Sequence, residues 1–185
     1  MKKIIGFAIG FLFIGALLFA QTENDFTVTL TDDNAGVRIT KYNGRETTTV
    51  RIPATIQGMP VREIGEEAFR QNKLGNTIIL FEVPSSVIIP EGVIKIEKGA
   101  FALSGLTSIS LPETITEIGN WAFQYCRLLR SVTLPPKLKV INSALFDRCD
   151  NLASITIPEG VTTIGNEAFG HCGSLLSLSL PSAIT

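Results

Sequence analysis

Leu111–Thr133 reads LPETITEIGNWAFQYCRLLRSVT, and Leu134–Thr156 answers it with LPPKLKVINSALFDRCDNLASIT. Ile157–Ser179 continues as IPEGVTTIGNEAFGHCGSLLSLS, and Ile89–Ser110 precedes as IPEGVIKIEKGAFALSGLTSIS. Proline falls at Pro90, Pro112, Pro135, Pro158 and Pro181, at steps of 22, 23, 23 and 23. Phenylalanine keeps that rhythm at Phe101, Phe123, Phe146 and Phe169. A fixed period of this length is the signature of a solenoid, in which each coil is too small to bury its apolar side alone and stacking makes the core.

Each position in the coil has a physical task. The stretches LTSISLP, LRSVTLP, LASITIP and LLSLSLP alternate apolar and hydroxylated residues, as a strand with one buried face does. Ile109, Leu111, Val132, Leu134, Ile155, Ile157, Leu178 and Leu180 are expected to point inward. The proline that follows has no N–H to donate and ends the strand. Ile118, Ile141 and Ile164 fill the core before a turn, where Gly119, Asn142 and Gly165 are expected in the left-handed backbone conformation. NWAFQYC and NEAFGHC then predict short helical turns with Ala, Phe and Cys inside, and Phe69, Phe101, Phe123, Phe146 and Phe169 stacked as a spine.

The pattern L..I.IP..V..IG..AF..C..L resembles the BspA-like leucine-rich repeat family across about residues 48–185. That resemblance implies a curved solenoid with parallel strands in an exported or surface protein, with adhesion to host proteins and other cells. The fold class expected is an α/β leucine-rich repeat with units of 23 residues, short helical turns and an N-terminal β cap. Ile96 is followed by Glu97 rather than glycine, and Leu145 replaces the usual alanine, so the local turns there depart from the family pattern.

The first twenty residues differ in kind. MKK is basic, Ile4–Ala20 is unbroken apolar sequence, and polar sequence follows, which reads as a secretory signal over 1–20. An uncleaved anchor is the other reading, and it would be the one membrane contact the sequence predicts. Next, Phe26–Leu30, Val37–Ile39 and Val50–Ile52 alternate apolar and polar residues, with YNGR as a hairpin turn, giving a β cap over 21–52 and a solenoid over 53–185. From Pro53 to Phe69 the first unit is longer than the others, and between 70 and 95 Pro84 and Pro90 compete for the strand end. The last unit lacks its second half, which suggests end-to-end self-association or a shortened version of a longer protein.

A charged fraction of 18% and a net charge of −1 lack the concentrated basic surface a nucleic-acid binder needs. Catalysis is equally poorly supported. The histidine, His171, sits beside Cys172 in GHCG, but Cys126, Cys149 and Cys172 hold one position of the repeat, and small residues there fill an interior column. Free buried thiols are expected, an odd disulfide being the alternative. His171 belongs to a variable surface column, without partners for a zinc site and without a placed acid for a triad. The sequence has no phosphate loop, HExxH or nucleophile elbow, so neither a cofactor nor an enzymatic activity is expected.

Two surfaces remain as candidates. Ser108, Ser110, Ser131, Thr133, Ser154, Thr156, Ser177 and Ser179 predict an uncharged grid of strand hydroxyls, suited to a glycan or an extended peptide, or else merely bonded to one another. On the turn side, Trp121 and Tyr125 are expected on one helical face, with Arg148 and His171 continuing the tyrosine's column on the next coils. Trp, Tyr and Arg are enriched at interaction hot spots. A lone exposed tryptophan covering a neighbouring turn is the plainer explanation. The expected role is a secreted, cell-surface or periplasmic binding module for a protein or glycan, host extracellular matrix among them. The alternative is a self-assembling structural protein of the envelope.

Overall fold

The computed structural model describes residues 22–44, 48–70 and 84–184, with the backbone of 73–74 and 77–78. The stretch over 1–20 that reads as a secretory signal lies outside the described residues. The strands are β1 (Phe26–Leu30), β2 (Val37–Tyr42), β3 (Thr49–Arg51), β4 (Thr55–Ile56), β5 (Met59–Ile64), β6 (Lys73–Leu74), β7 (Thr77–Ile78), β8 (Ser86–Ile88), β9 (Lys95–Ile96) and β10 (Ser108–Ser110). They continue as β11 (Glu117–Ile118), β12 (Ser131–Thr133), β13 (Val140–Ile141), β14 (Ser154–Thr156) and β15 (Thr163–Ile164).

Each coil contributes one strand to each of two parallel series. In the first, β3, β8 and β10 align Val50, Val87 and Ile109, and β12 and β14 align Val132 with Ile155. In the second, β2, β5, β9 and β11 align Ile39, Ile64, Ile96 and Ile118, and β13 and β15 align Ile141 with Ile164. The register is set by burial: a slip of one residue would turn these apolar side chains to solvent and the threonines inward. At the start, β1 and β2 form an antiparallel pair, and Arg38 on β2 reaches Glu63 at 2.6 Å and Glu97 at 3.1 Å, tying that pair to the next two coils.

The phenylalanine spine forms as expected and extends further. Phe69, Phe101, Phe123, Phe146 and Phe169 stack with centroid steps of 5.0, 5.5, 5.4 and 5.7 Å, and Tyr42 and Phe26 continue the column beyond Phe69. Each such pair contributes about 0.5–1.5 kcal/mol beyond its buried area.

Three expectations need correction. YNGR does not join two paired strands: β2 pairs with β1 and β5, whereas β3 pairs with β8, because Val50 must register with Val87 in the first ladder. The long first unit is explained by a hairpin of β4 and β5 turning at Gln57 and Gly58, both at positive φ.

Gly119 and Gly165 are absent from the positive-φ residues. They are small because coils meet there: a Cβ on Gly119 would lie 2.7 Å from the Lys98 nitrogen, and one on Gly165 would lie 2.6 Å from the Ser143 nitrogen. Asn142 in the same column donates its side-chain amide to Ile118 O at 2.7 Å. Lastly, Leu180 is 57% exposed rather than inward, because no coil packs over that side of it among the described residues.

Candidate functional site

The turn segments are not helical. Among the described residues the one helix is the 3-10 turn Glu23–Asp25. Around Phe123, Trp121 and Tyr125 both take φ of 60°, and the same two positions are positive in other coils at Gly99, Leu103, Ala144, Arg148, Glu167 and His171. The hydrogen bonds explain this. The N–H groups of Trp121, Phe123 and Tyr125 donate across to Ser143, Leu145 and Asp147 of the next coil, while those of Ala122, Gln124 and Cys126 donate to the carbonyl three residues back. Successive peptide planes therefore alternate between an inter-coil ladder and a tight local turn. A left-handed residue costs about 1–2 kcal/mol, and the bonds it permits, at about 0.5–1.5 kcal/mol each, offset that cost.

This backbone places Ala122, Phe123 and Cys126 inside and Trp121 outside, 41% exposed. Trp121 and Tyr125 do share a surface, although for a different reason from the helical face expected of them. Together with Glu67, Arg70, Lys98, Gly99, Ala102, Leu103 and Gln124 they line a groove of about 420 Å³. Cations surround both rings: Lys98 Nζ is 5.0 Å from the Trp121 centroid, and the Arg127 and Arg148 guanidinium carbons are 5.6 and 5.4 Å from that of Tyr125. Lys98 and Arg127 escaped the sequence reading because they lie off the aromatic columns. The legible signal was Gly99 and Ala102, the small members of columns that hold Trp121 and Gln124 one coil later.

His171 goes elsewhere. Its Nδ1 lies 2.8 Å from Oδ1 of the buried Asp147, whose other oxygen accepts from Gln124 Nε2 at 3.0 Å. An acid is thus placed beside the histidine, contrary to expectation. The neighbouring thiol is not activated by it. Cys172 turns inward and donates to Phe146 O at 3.1 Å, as Cys149 does to Phe123 O and Cys126 to Phe101 O, both at 3.2 Å. All three are free thiols. Burial pushes Cys126 up to about 12 and raises Cys149 and Cys172 as well, the opposite of what a nucleophilic thiolate needs.

Six of the eight strand hydroxyls lie on ladder strands. Ser108 and Ser110 belong to the ladder with β8 and β3, where Ser108 Oγ lies 3.2 Å from Ser86 Oγ. Ser131, Thr133, Ser154 and Thr156 lie on β12 and β14, with β12 packed beside β10 and the Arg130 N–H donating to Thr107 O at 3.3 Å. Ser177 and Ser179 are exposed but carry no strand, and Arg51 brings a charge to the register row of Ser110.

Parallel ladders and a stacked aromatic spine define a repeat solenoid. A BspA type leucine rich repeat region, in six copies, matches residues 82–185, and the chain belongs to that family. The fold is shared with the pneumococcal vaccine antigen PcpA, at 21% identity and a TM-score of 0.63, covering 82% of this chain and 47% of that one. A leucine rich cell surface protein from Faecalibacterium prausnitzii is 24% identical with a TM-score of 0.57, covering 84% and 53%. A leucine-rich repeat protein from Bacteroides capillosus is 25% identical with a TM-score of 0.53, covering 74% and 95%. The chain spans about half the length of the first two of these. No curated protein matches it.

Proposed function

We propose that this chain is an exported binding module that holds a protein partner through the turn-side ridge of Trp121, Tyr125 and Arg148. The observation that carries the reading is the exposed indole beside a tyrosine flanked by two guanidinium groups, over a groove. Aromatic and arginine side chains supply large contact area with a polar handle, and they dominate interface energetics. Export is supported by the basic and apolar first twenty residues and by the cell-surface relative. Host extracellular-matrix proteins are the partner class proposed, by analogy with what the family resemblance implies. The strand hydroxyls of Ser108, Ser110, Ser131, Thr133, Ser154 and Thr156 serve the fold on this reading, bonding across strands as Ser108 does with Ser86.

The test is binding of the purified chain to immobilised matrix proteins. The Trp121→Ala, Tyr125→Ala double variant is expected to lose about 2 kcal/mol, roughly thirtyfold in affinity, with an intact fold. A variant carrying Ser131→Lys, Thr133→Lys and Thr156→Lys is expected to bind as before. The reverse result would move the site to the strand face.

A further inference from the structure

We propose that the notch beside Trp121 binds one neutral hexopyranose ring of a glycan carried by the protein partner, which rests on the reading of the ridge as the binding surface and names the chemical group it takes. The shape comes first. Gly99 and Ala102 lie on the coil between those carrying Glu67 with Arg70 and Trp121 with Gln124. The small pair leaves a gap one coil deep between two larger walls. Along the phenylalanine spine the two coil steps that the gap spans measure 5.0 and 5.5 Å. A ring held at ordinary contact on both sides takes up about 7–8 Å, so one flat layer fits within that span.

The chemistry of the lining selects the layer. One wall is the indole of Trp121, an apolar face whose ring quadrupole attracts positively polarised groups; Lys98 Nζ meets that need in the free protein, 5.0 Å away. The axial C–H groups of a pyranose are polarised in the same sense. The opposite wall is the ion pair of Arg70 with Glu67, which offers donor and acceptor side by side. Gln124 commits its amide N–H to Asp147, leaving its carbonyl oxygen as an acceptor. Lys98 has a second anchor in Glu66 at 3.3 Å, so leaving the indole costs it little.

The charges here are therefore already paired. A charged ligand would have to break one of these pairs, whereas a vicinal diol, which donates and accepts at adjacent atoms, bonds to a carboxylate and a guanidinium without separating them. An apolar ring face bounded by neighbouring hydroxyls describes a hexopyranose.

The chain has a single tryptophan, so its emission reports on this notch alone. The experiment titrates the protein with methyl glycosides of glucose, galactose, mannose and N-acetylglucosamine, with sorbitol as an open-chain control and N-acetyltyrosinamide as a protein side-chain mimic. At least one glycoside should give a saturable emission change with a millimolar Kd, and sorbitol none. Gly99→Gln fills the notch with a side chain at a backbone conformation that Glu67 and Trp121 already adopt. It should weaken that response at least tenfold while melting as a folded protein. No saturable response to any glycoside overturns the proposal, as does a response that survives in folded Gly99→Gln. A response to N-acetyltyrosinamide alone also overturns it and assigns the notch to a protein side chain. Loss of matrix-protein binding in Trp121→Ala without any glycoside response leaves the ridge standing and removes the sugar; a glycoside response with undiminished matrix binding does the opposite.

Discussion

His171 Nδ1 and Asp147 Oδ1 lie 2.8 Å apart across two consecutive coils, joining an exposed imidazole to a carboxylate side chain that is 7% exposed. Asp147 is the buried end of this contact, and Gln124 from the preceding coil completes its coordination. Three coils are thus tied through one side chain.

Asp147→Ala removes both bonds and leaves the Gln124 amide without its acceptor. It is expected to cost about 1 kcal/mol, the net worth of the hydrogen bonds lost, since the half-buried Gln124 amide can turn to solvent. His171→Ala, at an exposed position, is expected to cost well under 1 kcal/mol. Urea denaturation of the two variants would check the asymmetry.

The thiol column predicts a pH dependence. Burial holds Cys126 at about 12 against an ordinary value of 9.0, and Cys149 is raised in the same direction. The folded state keeps these protons when the unfolded state has released them, so their contribution to stability is intact below pH 9 and falls as pH rises from there toward 12. The loss is about 1.4 kcal/mol per pH unit for each thiol. The denaturation midpoint of the natural chain should drop more steeply between pH 9 and 11 than that of a Cys126→Ala, Cys149→Ala variant.

Two glycines should respond differently to alanine. At Gly119 the new methyl meets backbone atoms of Lys98 and Glu97 at 2.7 and 2.9 Å, which cannot step aside, and a cost above 2 kcal/mol is expected for this overpacking. At Gly99 the nearest atom is the Glu67 side chain at 3.5 Å, and only the φ of +61° opposes the change. About 1 kcal/mol is expected there. Thermal melts of Gly119→Ala and Gly99→Ala would separate close approach from backbone strain.

Within the spine, Phe123 is fully buried between Phe101 and Phe146, whereas Phe169 stacks on Phe146 and is only partly buried. Phe123→Ala should cost about 3–5 kcal/mol through the cavity it leaves. Phe169→Ala should cost distinctly less, since solvent already reaches that ring. Comparing denaturation midpoints would show the gradient along the column.

The sequence by itself determined the coil, its period and its interior. Apolar positions repeat because each coil must bury the same stripe, so Ile109, Phe123 and Cys126 could be placed inside from spacing alone. The backbone of the turns was not legible that way. Non-glycine residues at Trp121 and Tyr125 gave no local sign of a left-handed conformation, because the carbonyls that stabilise it belong to another coil. The glycine at 119 looked conformational and proved steric, since only the stacked neighbour shows how near Lys98 comes. The groove exists for the same reason: Gly99 and Ala102 are unremarkable in their own unit and become a notch only between Glu67 and Trp121. Periodicity fixes what each coil buries; what adjacent coils present between them depends on three-dimensional stacking, and only the tertiary structure decides it.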